Sequence, residues 1–113
     1  MKRDLDTILA HYIAAVVFTE AADDIDFELN RFSPAALEKS KADVNKFVAD
    51  AGDLLTDDWS DDQVGHDIWL TRNGHGAGFW DRQLPNGDEL SDIARAMGER
   101  SAVLGDDGMI YIE

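Results

Sequence analysis

Side chains able to do chemistry crowd one stretch in the second half of the chain: His66, Asp67, Arg72, Asn73, His75 and Asp81. An arginine, imidazoles and carboxylates in such proximity can bind phosphate, support acid–base chemistry or hold a metal. His66 and His75 with Asp67 would offer nitrogen and oxygen ligands. Gly74, Gly76 and Gly78 interleave this set, and their amides could cradle an anion. The same glycines suit a tight turn packed between Trp69 and Trp80. His66 and His75 would then fall at opposite ends of a hairpin, and a shared site would need both to fold back. Two readings stay open: a structural hairpin, or a ligand-binding or catalytic surface at Asp67, Arg72, Asn73 and His75. No residue is assigned as catalytic, and neither a metal site nor a cofactor is expected.

The elements that must position these residues follow from periodicity and punctuation. Ile68-Trp69-Leu70-Thr71 and Phe79-Trp80 are strand-like and flank Asn73-Gly74, the dipeptide best suited to a tight hairpin. Upstream, Leu5, Ile8, Leu9, Tyr12, Ile13, Val16 and Val17 recur at helical spacing and predict a helix over roughly 4–22. Residues 23–32 read as an extended connection with buried anchors, or as a short strand. Ser33-Pro34 is a helix start, because serine caps orphan amides and proline at the first position loses no bond. Leu37, Val44, Phe47, Val48, Ala51, Leu54 and Leu55 then mark one helical face, which Gly52 ends or weakens. Ser60 to Gln63 fits a capping box for one further short turn closed by Gly65. Leu90, Ile93, Ala94 and Met97 form another helical stripe ended by Gly98. Ala102 to Leu104, Asp107-Gly108 and Met109 to Ile112 read as a second hairpin.

Helices first and hairpins later predict an α+β fold, with N-terminal helices packed on a small antiparallel sheet built from two C-terminal hairpins. At 113 residues the chain has room for one domain, with a helical half over about 1–63 and a hairpin–helix–hairpin half over about 64–113. Apolar residues make up 44% of the sequence, enough for a core and too many for a disordered chain. Lys2-Arg3 and the apolar run after it superficially resemble a signal peptide. Asp4, Asp6, His11 and Tyr12 break that pattern, and no apolar run is long enough to span a bilayer. The expected location is the cytoplasm.

Charge is the strongest compositional signal. Lys and Arg total 10 against 24 Asp and Glu, a formal net charge of −14. This argues against direct binding of nucleic acid or of anionic membranes, both of which rest on cationic contacts. The absence of cysteine excludes disulfides, thiolate metal sites and cysteine nucleophiles. The acids are clustered. Glu20, Asp23, Asp24 and Asp26 fall in a stretch without Lys or Arg, and Asp50, Asp53, Asp57, Asp58, Asp61 and Asp62 fall in another. If the second helix runs past Gly52, Asp50, Asp53 and Asp57 share a face and repel one another. Such clusters can imitate the charge of a phosphate backbone. They also suit a solvated surface or a high-salt cytoplasm. Neither acidic run fits a calcium loop, since Gln63 and Leu29 stand where glycine is required.

Gly65 to Arg82, reading GHDIWLTRNGHGAGFWDR, resembles a motif of small uncharacterised proteins encoded by tailed phages, prophages and mobile elements. The similarity runs on through the third helical stripe into the hairpin Gly105 to Tyr111. What the resemblance implies is a setting, that of phage accessory proteins that modify or block host machinery. Combined with the acidity, it leads to the expectation of an acidic accessory protein that inhibits a host nucleic-acid-handling protein by occupying its basic surface. The alternatives are the Arg72/His75 site already described and a virion component.

Overall fold

A computed structural model describes residues 3–20 and 31–113. The elements are α1 (Leu5–Glu20), β1 (Arg31–Phe32), α2 (Pro34–Ala51), α3 (Asp61–Arg72), α4 (Gly87–Ala96), β2 (Ala102–Leu104) and β3 (Met109–Ile112), with 3-10 turns at Gly52–Leu54 and Phe79–Asp81. The α+β expectation holds: helices come first, and β2 and β3 form the antiparallel C-terminal pair. β1 adds a short parallel strand on the far side of β3.

Helix starts are set locally. The Ser33 hydroxyl accepts from Ala36 N, and the Ser60 hydroxyl accepts from Gln63 N, each satisfying an amide that its helix leaves orphaned. α2 stops at Gly52, whose φ of 49° suits glycine, so Asp53 and Asp57 are not on a continuation of the α2 face.

The first of the two expected hairpins is absent, and its first strand is the second half of α3. Gly65 does not close a short turn; the helix runs through it to Arg72. A Cβ at Gly65 would overlap the Ile8 carbonyl oxygen and lie 2.9 Å from Tyr12 N. Glycine therefore marks the close crossing of α3 over α1. The apolar run Ile68 to Thr71 looks strand-like because this helix is covered on nearly every side: all residues from Val64 to Arg72 except His66 are buried. Asn73-Gly74 ends the helix rather than turning a hairpin. Gly74 N donates to Thr71 O and His75 N donates to Leu70 O, the paired bonds of a Schellman motif, with Gly74 at φ 66°.

The core lies where α1, α2, α3 and α4 pack together, with α2 carrying it onto β3. Tyr12 meets Trp69 edge-on at 5.5 Å, Phe47 stacks on Phe79 at 5.1 Å, and Trp59 meets Phe79 edge-on at 5.3 Å. The indole N–H groups are satisfied: Trp59 donates to Pro85 O and Trp69 to Thr19 Oγ1, both at 2.8 Å. Trp80 remains partly exposed.

Candidate functional site

The polar set read from Asp67 to Asp81 is not assembled into one site. Asp67 is fully buried on α3, and Arg82 grips it through both carboxylate oxygens at 2.7 and 3.2 Å. That bond holds the Arg82 guanidinium above its ordinary pKa. Arg72 is also buried. Its Nε donates to Gly98 O at 2.8 Å and its Nη2 to Met97 O at 3.0 Å, while Nη1 donates to Asp43 Oδ2 at 2.9 Å and to the Tyr12 hydroxyl at 3.2 Å. Asn73 donates from Nδ2 to Trp69 O and accepts from Arg100 N at Oδ1. These three residues tie the end of α3 to the rest of the fold.

The histidines are separated. His75 is exposed on a shallow cavity of about 420 Å³ lined by Asn73, Glu99, Arg100 and Ser101, without Arg72 or a tryptophan. His66 lies 6.3 Å from the Phe18 ring, and burial lowers its imidazole pKa, with Asp67 opposing. His11 faces Asp62 at 3.3 Å. Among the described residues, no group of three His, Asp or Glu is placed to hold a metal ion.

The acidic segment presents a different picture. Asp50 to Asp62 spans the end of α2, the 3-10 turn and the start of α3. Some of its carboxylates have cationic neighbours: Asp50 pairs with Lys46 at 2.9 Å, and Asp61 with Arg3 at 3.2 Å. Asp53, Asp57 and Asp58 are exposed and form no ion pair among the described residues, although Arg3 lines the same cavity as Asp53 and Asp57. Asp53 and Asp57 line one open cavity of about 430 Å³. Asp58 accepts from the Thr56 hydroxyl at 3.0 Å.

Arg3 fixes the backbone that carries these acids. Its guanidinium donates to the carbonyls of Leu55, Thr56 and Trp59 as well as to Asp61. Sequence reasoning missed this clamp. It also missed Asp43 and Arg100 as partners of the polar set, because each lies far along the chain with no motif to join it, and Arg82 as the partner of Asp67, 15 residues away in the quoted stretch. The Glu20 side chain and Asp23, Asp24 and Asp26 lie outside the described residues. Exposed acids also occur elsewhere, at Asp88, Glu89, Asp92, Glu99, Asp106 and Asp107.

The chain matches no family model, no curated protein and no solved structure. Among the described residues, no helix is long and apolar enough to cross a membrane.

Proposed function

We propose that this protein is a non-enzymatic acidic binding protein that seats Asp53, Asp57 and Asp58 in the cationic cleft of a nucleic-acid-handling protein. Asp50 and Asp62 contribute at the margins. The observation that carries the reading is the Arg3 clamp. It fixes the backbone that carries Asp53, Asp57 and Asp58, which form no ion pair among the described residues, so little ordering entropy is lost when a partner docks. A net charge of −14 steers the approach of a basic surface and makes association fast and dependent on salt. Occupying that surface excludes nucleic acid, the outcome expected of an anti-CRISPR or anti-restriction type of inhibitor.

The test is capture from bacterial lysate on the immobilised protein, followed by a salt titration. Retained nucleic-acid-handling proteins should elute as ionic strength rises. They should be lost with the triple change Asp53→Asn, Asp57→Asn and Asp58→Asn. Retention that ignores both salt and the triple change overturns the reading.

A further inference from the structure

The sheet has the order β1-β3-β2, so β2 is an edge strand. Its register pairs Ala102 with Ile112, Val103 with Tyr111 and Leu104 with Ile110. Ser101 and Glu113 exchange both backbone bonds, and Gly105 N donates to Met109 O at 2.7 Å. The antiparallel alternation therefore directs the N–H and C=O of Ala102 and Leu104 away from β3. No backbone bond from another described element reaches them. Natural edges are commonly blunted by shortness, a lysine, a proline or a bulge; the three residues of β2 are short, but Ala-Val-Leu carries no lysine, proline or bulge. Leu104 is 48% exposed. It lines a groove of about 450 Å³ shared with Ala35, Ala36 and Lys39 of α2 and with Tyr111, Ile112 and Glu113 at the end of β3.

We propose that β2 is a docking edge for an extended segment of a partner protein, one with a bulky apolar residue for the Leu104 groove and Lys or Arg on either side of it. The main chain of such a segment pairs with the outward groups of Ala102 and Leu104, the mode of strand addition. The flanking charge follows from exposed acids at both ends of the strand: Glu99 before it, Asp106 and Asp107 in the turn after it, and Glu113 on the neighbouring strand. The same acids disfavour a second copy of this chain. An antiparallel pairing centred on Val103 would set Glu99 opposite Asp107 of the other copy. Arg100 would meet Asp106, but its guanidinium is already engaged with Asp43.

This edge and the acidic loop sit at opposite ends of α2, separated by about 24 Å of helix at 1.5 Å per residue. The two proposals therefore fail separately. The probe is a fluorescent peptide, Lys-Lys-Val-Thr-Leu-Thr-Val-Lys-Lys, added to the full chain. Saturable binding should slow amide hydrogen exchange at Ala102 and Leu104. The same peptide with N-methylated backbone amides keeps its charge and should bind at least about tenfold more weakly. Leu104→Lys should weaken binding by a similar factor, and the triple Asp→Asn loop variant should leave it unchanged. Equal binding of the methylated peptide, or unaltered exchange at Ala102 and Leu104, overturns the proposal even if Leu104→Lys does not fold. A concentration-dependent dimer of the wild-type chain in sedimentation, abolished by Leu104→Lys, assigns the edge to a second copy and overturns it as well.

Discussion

Asp43 Oδ2, on α2, accepts from Arg72 Nη1 of α3 at 2.9 Å and from Arg100 Nε beyond α4 at 3.0 Å. One carboxylate thus joins the end of the central helix to the connection leading into the sheet. Arg72, the arginine with the clearest chemical promise in the sequence, is a strut here. Asp43→Ala leaves the buried Arg72 guanidinium without its counter-charge. Removing one partner of such a pair costs about 3–5 kcal/mol. Urea unfolding should show a loss of that size. A loss below about 1 kcal/mol would mean that solvent reaches the pair and compensates it.

The crossing of α1 and α3 depends on the missing side chain at Gly65. Alanine is the better helix former by about 1 kcal/mol, so propensity alone predicts that Gly65→Ala stabilises. Packing predicts the reverse. The added methyl meets the Ile8 carbonyl and Tyr12 N, backbone atoms that move only if the whole helix moves. Overpacking of this kind costs about 1–3 kcal/mol. The expected net result is a lower thermal midpoint; a higher one would show that α1 shifts freely on α3.

The elements legible in the sequence are those whose signals are local. Ser33 and Ser60 cap helices through bonds that span three residues, and Asp107-Gly108 turns the hairpin between β2 and β3 with Gly108 at φ 81°. Asn73-Gly74 was ambiguous for a physical reason. A hairpin turn and a helix terminus both call for a positive φ at glycine, so the dipeptide marks an end without saying of what. The decision lies with Ile68 to Thr71. That run carries no exposed polar position because neighbouring elements bury α3 on nearly all sides, which erases the helical period. The candidate site was legible only as residue types. Arg72 finds Asp43 at a separation of 29 residues, and Arg100 finds it at 57. Nothing local announces either bond, and both convert apparent chemistry into architecture.

Tyr12 supplies a test in alkali. Its phenol is fully buried, and burial pushes its pKa up to about 12, with the charge of Arg72 opposing the rise. The folded value lies above the ordinary value near 10, so the fold favours the neutral phenol. That contribution is complete below pH about 10 and is lost as pH climbs from there toward 12. Tyr12→Phe removes the titration along with the bond accepted from Arg72, at a cost of about 1–2 kcal/mol near neutrality. The stability gap between wild type and Tyr12→Phe should therefore narrow through that alkaline window. A gap constant with pH would place the phenol in contact with water.

The acidic loop separates carboxylates that hold the fold from carboxylates left for a partner. Asp61 accepts from Arg3 Nη1 and from Asp4 N, both at 3.2 Å, and Arg3 in turn holds the loop carbonyls. Asp61→Ala should cost about 1.5–3 kcal/mol, the range for a hydrogen bond to a charged group. Among the described residues Asp53, Asp57 and Asp58 form no ion pair, and they sit in a strongly acidic segment whose charges repel one another. Replacing all three with asparagine should leave unfolding free energy within about 0.5 kcal/mol of wild type or raise it. Any gain should shrink as added salt screens the repulsion. Chemical unfolding at low and high ionic strength measures both effects. A marked destabilisation by the triple change would give these acids a structural duty, and the argument that they are held ready for a basic surface would lose its support.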